Sequence, residues 1–332
     1  MLIIFNEGFQ DIDKFISYFE SLGLSITRSD LDGQTVLKLK GNTYVVDEQY
    51  LNSFEGINKI IRLDKTFDLV RLKDKYCNVK VGNVSIGHDS KFCLIGGPCS
   101  ITSYDDLKNT VNDMKNVDII RGGAYKLRKS PYAFQGLKED GLMILNKVGQ
   151  ESNKPVISEI TKIEDIPLFV KYVDVIQVGA RNMNNYPMLK ALGKVDKPIL
   201  LKRGISSTVE EWLLAAEYIV YNGNKNVILC ERGIRTFENS TRNTLDLSAV
   251  SLVKKLSNLP VIVDPSHATG RYDLIEDMVL ASVACGADGI ILEVSSHIEG
   301  LKSDGAQTIS TKRYNNMLEK VKRVCEALDR DF

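Results

Sequence analysis

The chain has 332 residues, which is long enough for one large and one small domain, and its apolar (43%) and charged (26%) contents are typical of globular proteins. Its 43 basic and 43 acidic residues cancel, which excludes binding of nucleic acid through a general positive field. A local group of cations in such a chain is therefore interpreted as a binding site.

The amino terminus and the cysteines favour a cytoplasmic protein. The opening "MLIIFNEGF" lacks the basic segment and the apolar length of a signal peptide, and no apolar run approaches the ~20 residues of a membrane span. The six cysteines show no CxxC spacing and are too sparse for a disulfide framework. We therefore expect a reducing compartment, no membrane contact and no nucleic-acid partner.

Residues 1–70 have the pattern of a small α+β domain. "LIIF" predicts a strand, "DIDKFISYFESLG" a helix, and the alternation around Asp32-Gly33 a β-hairpin. A second helix is predicted over "DEQYLNSFEGINKII" and a last strand near "FDLVRL". The resulting βαββαβ order is the ferredoxin-like plan, which serves as a sensor, a docking module or a stabilising appendage.

Residues 71–90 are interpreted as a linker with a lone β-hairpin that closes the bottom of a barrel. "CNVKVGNVSIG" alternates and turns at Gly82-Asn83. From residue 91 to 332 the chain repeats an apolar strand, a polar loop and an amphipathic helix. The predicted strands are "FCLIGG", "DIIRGG", "PVISEI", "DVIQVGA", "PILLKRG", "NVILCERG", "PVIVDPS" and "DGIILEV".

Unbroken apolar strands belong to parallel sheets that are covered on both faces, so this repeat predicts a (β/α)8 TIM barrel of the α/β class. The alternative is a doubly wound open sheet. It would normally carry a glycine-rich nucleotide turn, and neither GxGxxG nor GxxxxGK[ST] occurs in the chain.

The predicted strand ends carry a set of cations. Active sites of such barrels lie at the carboxyl ends of the strands. Guanidinium and ammonium groups gathered there suit small phosphorylated or carboxylated substrates. We expect some of the set to pair instead with Glu159, Glu231 or helix ends as scaffolding. The cations are Arg121, Lys126, Arg128, Arg181, Lys202, Arg232 and Arg235.

A second strand-end set combines a thiol, an imidazole and two carboxylates. Cys99, His267, Glu293 and Asp304 offer the donor types of a divalent-metal site. Their wide spacing leaves other interpretations open, in which Cys99 is a small buried residue and His267 a hydrogen-bonded core histidine.

Seven motifs occur together in one order: "GGPCS", "RGGAYKLRKSPYAFQG", "QVGARNMNN", "PILLKRG", "ERGIRTFENSTRNTLDL", "DPSHATGR" and "SDGAQ". In this combination the chain resembles the 3-deoxy-D-arabino-heptulosonate 7-phosphate (DAHP) synthases, specifically the branch with an N-terminal ferredoxin-like regulatory domain. The resemblance covers nearly the whole length.

The resemblance implies condensation of phosphoenolpyruvate with erythrose 4-phosphate, the first step of the shikimate pathway towards aromatic amino acids. It implies one divalent metal ion (Mn, Fe, Co, Zn or similar), a tyrosine or phenylalanine effector bound by the N-terminal domain, and a homotetramer. The implied metal ligands are Cys99, His267, Glu293 and Asp304. The implied ligands of the phosphoenolpyruvate phosphate and carboxylate are Arg121, Lys126, Arg181, Lys202 and Arg232, and Arg128 is implied to bind the aldose phosphate. Either Lys126 or a metal-bound water is a reasonable proton donor to the new alkoxide.

The chain departs from the family pattern in two places. Lys126-Leu127-Arg128-Lys129 stands where the family usually has Lys-Pro-Arg-Thr. The family also usually has a His-Pro shortly after the metal-site glutamate, whereas here "VSSHIEG" follows Glu293 and its histidine, His297, is displaced. Two other functions remain open. One is the sister synthase that makes 3-deoxy-D-manno-octulosonate 8-phosphate from arabinose 5-phosphate. The other is a catalytically silent barrel that senses aromatic amino acids.

Overall fold

A computed structural model describes residues 1–31, 33–41, 43–61, 67–72, 75–126, 130, 132–299 and 304–332. The chain divides into two compact units, Met1–Thr66 and Phe67–Phe332. Within the described ranges, none of the helices combines the length and apolar character that crossing a bilayer requires.

The first unit is a four-stranded antiparallel sheet with helices. Its elements are β1 (Leu2–Phe5), α1 (Ile12–Ser21), β2 (Ser25–Leu31), β3 (Gln34–Lys40), α2 (Glu48–Asn52) and β4 (Ile57–Ile61). The strand order is β2-β3-β1-β4, with every neighbouring pair antiparallel. The apolar face of α1, with Phe15 and Phe19, packs on Phe5 and Leu37 in one core. The predicted ferredoxin-like plan is confirmed.

The predicted second helix of this unit is wrong in its extent. Helix α2 has only five residues, and β4 lies inside the segment predicted to be helical. Gly56 separates the two elements and packs directly against the ring of Phe9, where a Cβ would overlap that ring. The isoleucines after it pair with β1, with Ile60 opposite Ile3. Their β-branched side chains favour this sheet edge over another helical turn.

The strand predicted near 67–72 is also wrong, because this segment belongs to the second unit. The backbone N–H groups of Asp68, Leu69 and Val70 donate to the carboxylate of Glu217 at 2.9–3.1 Å. Arg71 forms one isolated antiparallel bridge with Ser257. One carboxylate thus satisfies backbone groups for which the sequence pattern predicted a sheet partner.

The second unit begins with the predicted hairpin, β5 (Val79–Val81) and β6 (Val84–Ile86), whose strands pair antiparallel. Eight parallel strands then close into a barrel, since the first pairs with the last as well as with the second. They are β7 (Cys93–Gly97), β8 (Ile119–Arg121), β9 (Val156–Ile160), β10 (Val175–Val178), β11 (Ile199–Lys202), β12 (Val227–Glu231), β13 (Val261–Val263) and β14 (Gly289–Ser295). The predicted TIM barrel is confirmed.

Helices follow the barrel strands, and a short additional strand pairs with β14. The helices are α3 (Tyr104–Asp113), α4 (Glu139–Glu151), α5 (Ile166–Tyr172), α6 (Tyr186–Leu192), α7 (Val209–Tyr221), α8 (Leu247–Leu256), α9 (Pro265–Thr269), α10 (Ile275–Ala284) and α11 (Thr311–Ala327). The added strand is β15 (Ile309–Ser310), which pairs in parallel with the end of β14.

The strands are buried on both faces, as their unbroken apolar sequences predict. In β11, Ile199 and Leu201 belong to the layer shared with the helices, whereas Leu200 belongs to the barrel interior. The interior cluster also contains all four valine and isoleucine side chains at the ends of β5 and β6, together with Cys93, the first residue of β7. The hairpin therefore fills the amino-terminal end of the barrel and leaves the other end for a site.

Candidate active site

Two glycines bring the first two strand ends of the barrel into close contact. At Gly97 the backbone has φ +148°, and a Cβ there would overlap the carbonyl oxygen of Arg121. A Cβ on Gly123 would overlap the carbonyl oxygen of Cys99. Because both positions lack side chains, the Cys99 loop packs onto the loop that follows β8. Lys126 Nζ consequently donates to Cys99 Sγ at 2.8 Å.

Three of the predicted metal ligands meet at this end of the barrel. Cys99 follows β7, His267 lies on α9 and Glu293 lies on β14, and one ligand atom from each falls within 4.8 Å of the others. Asp304 joins the group through a 2.9 Å contact between its Oδ2 and Cys99 Sγ. Four residues that are distant in sequence thus form one cluster.

The residues present fit a divalent transition metal. Glu293 is fully buried, and its Oε1 has no hydrogen-bond partner among the described residues. His267 Nε2 lies 3.1 Å and Arg121 Nη2 3.3 Å from this oxygen. Burial would raise the pKa of Glu293, but the nearby charges of His267 and Arg121 hold it below its usual range. A buried carboxylate, an imidazole and a thiol are together the donor set of such ions.

Asp264 fixes the position of His267 through two contacts. Its Oδ2 contacts His267 Nδ1 at 2.7 Å and also accepts from Lys202 Nζ. Its Oδ1 accepts from the backbone N–H of His267 at 3.0 Å and so caps α9. Burial would lower the pKa of His267, but Asp264 and Glu293 outweigh it and raise that pKa to about 10. The pocket is therefore strongly favourable to positive charge.

Gln307 and Arg242 contact the two predicted carboxylate ligands, Glu293 and Asp304. The Gln307 amide donates to Glu293 Oε2 at 2.7 Å and accepts from Arg242 Nη1 at 2.9 Å. Arg242 Nη1 also lies 3.4 Å from Asp304 Oδ1. Gln307 is 3% exposed, whereas the side chain of Arg242 is 46% exposed, so this link between the carboxylates runs from the interior to the surface.

Four of the predicted substrate cations border the metal-ligand group. Arg121, Lys202 and Arg232 are buried, and Lys126 is half-buried. Arg232 donates to the backbone oxygens of Gly233 and His267. Arg121 Nη1 is buried without a hydrogen bond inside the described part of the protein. Buried donors that lack a partner are rare in proteins, and a bound anion would satisfy this one.

The structure describes two of the three remaining predicted cations. Arg181, on the turn Ala180–Asn182, and Arg235 are exposed. Arg128 lies outside the described residues, as do Leu127 and Lys129. His297 is exposed and faces Asp106, with Nδ1 3.8 Å from Oδ1.

Arg203 and Glu231 have a structural role. Arg203 Nη1 bonds Glu231 and Asp246, each at 2.9 Å, and its guanidinium lies 5.9 Å from the Trp212 ring. Burial raises the pKa of Glu231, although Arg203 opposes that shift. Trp212 is fully buried and donates to the carbonyl of Leu201. Glu231 thus serves as scaffolding, but its partner is Arg203, which is not one of the seven predicted cations.

The supporting residues had only weak sequence signals. Asp264 stands three positions before His267 in "DPSH", the spacing at which a carboxylate caps a helix. Gln307 closes the motif "SDGAQ". Their contacts with Lys202 and Glu293 depend on which strands become neighbours, and no local pattern encodes this.

Comparison with known proteins agrees with the fold. The sequence model of the DAHP synthetase I family matches residues 62–330. The phospho-2-dehydro-3-deoxyheptonate aldolase of Thermotoga maritima is 40% identical over 99% of this chain and 98% of its own. A crystal structure of phospho-2-dehydro-3-deoxyheptonate aldolase (DAHP synthase) from the same organism gives a TM-score of 0.81 at 39% identity, covering 99% of this chain and 98% of that one.

A second kind of relative is more distant. The 2-dehydro-3-deoxyphosphooctonate aldolase of Koribacter versatilis is 30% identical over 75% of this chain and 96% of its own. The similarity to this second group thus covers about three quarters of the chain, whereas the similarity to the Thermotoga maritima protein covers nearly all of it.

Proposed function

Because the chain belongs to the DAHP synthetase I family, we propose that it condenses phosphoenolpyruvate with erythrose 4-phosphate to give 3-deoxy-D-arabino-heptulosonate 7-phosphate and phosphate. The main structural support is the position of buried cations beside the group formed by Cys99, His267 and Glu293. The chain would act as a 3-deoxy-7-phosphoheptulonate synthase in the shikimate pathway.

The cations are suited to phosphoenolpyruvate. This substrate carries a phosphate and a carboxylate on a three-carbon frame, so its site needs several positive groups that fix the enol face. Arg121, Lys202 and Arg232 are buried, which strengthens their attraction for anions. Arg121 also has an unsatisfied Nη1. We assign these three residues to phosphoenolpyruvate, and Arg181 and Arg128 to substrate phosphates, as predicted from the motifs.

The reaction forms a bond between C3 of phosphoenolpyruvate and the aldehyde carbon of the aldose. The aldehyde oxygen gains a proton, water adds at C2, and phosphate leaves from C2. We assign the proton transfer to Lys126, whose ammonium lies against Cys99 Sγ at the edge of the ligand group. A divalent ion held by Cys99, His267, Glu293 and Asp304 would act as the Lewis acid that polarises the aldehyde.

The alternative eight-carbon product is not favoured. Relatives with that activity in their names match about three quarters of this chain and at lower identity. A catalytically silent barrel is not favoured either, because Cys99, His267 and Glu293 lie together beside the buried and unsatisfied Arg121.

The N-terminal unit is proposed to be a regulatory domain that binds tyrosine or phenylalanine, within a homotetramer. This rests on its ferredoxin-like plan and on the family pattern. The proposed location is the cytoplasm, in keeping with six cysteines that are all free thiols.

The test follows phosphoenolpyruvate consumption with erythrose 4-phosphate or arabinose 5-phosphate, before and after treatment with a chelator. We expect consumption with the four-carbon sugar, its loss on chelation, and recovery when Mn²⁺ is restored. Cys99→Ser should abolish the recovery, whereas the matched variant Cys285→Ser, at the end of α10, should not. Faster turnover with arabinose 5-phosphate, or activity that resists chelation, would contradict the proposal.

A further inference from the structure

One buried carboxylate connects the metal-ligand group with the substrate cations. Asp264 is 0% exposed and follows β13, while Lys202 ends β11 two strands away in the barrel. The Oδ2 atom of Asp264 is within hydrogen-bond distance of both Lys202 Nζ and His267 Nδ1. The two subsites therefore share a single oxygen atom.

The rest of Asp264 is held in place, so this oxygen has little freedom. Its Oδ1 accepts from the backbone N–H of His267, and its own backbone N–H donates to the carbonyl of Glu231 at 2.7 Å. A shift of Oδ2 towards either partner would stretch its bond to the other one. The position of the imidazole and the position of the ammonium are thus linked mechanically.

We propose that Asp264 is a positioning residue that couples metal binding at His267 to phosphoenolpyruvate binding at Lys202. The proposal rests on the proposed function for the identity of both ligands. An ion that fixes the imidazole also fixes Oδ2 and with it the lysine, so the second ligand finds its site already ordered. Linkage requires the effect to be reciprocal: each ligand tightens the binding of the other by the same factor.

The test measures this factor directly. Calorimetry gives the dissociation constant of phosphoenolpyruvate for the Mn²⁺-saturated and the chelator-treated full-length protein, and the ratio of the two is the coupling. For the wild type we expect about five- to 150-fold. Asp264→Asn, which offers one acceptor oxygen instead of two, should weaken Mn²⁺ binding by about 10- to 100-fold. It should also bring the coupling ratio towards one.

A matched control separates this role from general damage to the fold. Asp288 is also 0% exposed and accepts from a lysine and a backbone N–H, namely Lys254 Nζ at 2.6 Å and Val261 N at 2.8 Å. It lies just before β14, at the hairpin end of the barrel. Asp288→Asn should lower stability yet leave the coupling ratio unchanged. An equal loss of coupling in both variants would overturn the proposal.

A second variant covers the case in which Asp264→Asn does not fold. Asp264→Glu keeps the charge and moves the carboxylate by one methylene, so it should retain more Mn²⁺ affinity while still lowering the coupling ratio. If either folded variant kept the wild-type coupling ratio, this inference would be wrong, but the proposed function would be unaffected. Failure of the wild type to bind phosphoenolpyruvate at all would overturn the proposed function as well.

Discussion

Single residues in the site were easier to identify than their partners. Cys99, His267 and Glu293 follow from their donor types and from their places at strand ends, and they do come together. The roles of Asp264 and Gln307 could not be predicted, because each depends on contacts across the barrel. A sequence pattern reports local periodicity, whereas these bonds join residues 62 and 14 positions apart.

Lys126 provides the sharpest test at this scale. Its ammonium lies 2.8 Å from Cys99 Sγ, where a proton can be delivered to an oxygen held beside the ligand group. We expect Lys126→Met to lower kcat by about 100-fold or more, since positioned acids contribute that much. The measurement is steady-state turnover with both substrates, together with Mn²⁺ affinity.

Lys147→Met is the control for Lys126, because Lys147 is an exposed lysine that lies over the Tyr104 ring on the outer layer. It should turn over normally. If Lys126→Met kept a near-normal kcat and only weakened phosphoenolpyruvate binding, Lys126 would be a binding residue and not the proton donor.

At the scale of elements, the barrel strands were the most predictable part of the chain. Each is an apolar run long enough for one buried strand, and helices with clear apolar faces lie between them. The helix predicted over 47–61 is correct only for Glu48–Asn52, because Gly56 and the isoleucines of β4 make a sheet edge of the rest. Short apolar stretches satisfy both periods, and tertiary pairing decides between them.

The hairpin of β5 and β6 should matter for stability and not for catalysis. Ile86 is fully buried in the barrel interior, at the end opposite to the site. Ile86→Ala should lower the free energy of unfolding by about 2–5 kcal/mol through the cavity it leaves. Denaturant unfolding gives this value, and KM and kcat below the transition should stay at wild-type levels.

Lys80→Ala, an exposed position on the same hairpin, should change neither stability nor kinetics. If Ile86→Ala instead left stability intact and altered KM, the hairpin would have to communicate with the site, contrary to its place in the core.

For the whole molecule, the two compact units predict a separation of catalysis from regulation. The barrel unit contains every described residue of the ligand group and of the buried cation set. Removal of residues 1–66 should therefore preserve metal-dependent condensation and abolish inhibition by tyrosine or phenylalanine. Initial rates of the full-length and shortened proteins, with and without each amino acid, make the comparison.

Inhibition that persists in the shortened protein would place the effector site in the barrel. If neither amino acid inhibited the full-length protein, the proposed regulatory role of the N-terminal unit would be wrong. A contribution to stability would then remain as the explanation for this unit.

The burial of Trp212 has an optical consequence. It is the only tryptophan in the chain, and its indole donates to the carbonyl of Leu201, the residue directly before Lys202. Light absorbed selectively by indole therefore excites one chromophore, which is hydrogen-bonded to the strand that ends in Lys202. The emission wavelength and fluorescence lifetime of Trp212 depend on the electric field of that strand. They therefore report on events at the carboxyl end of the barrel strands without an added label.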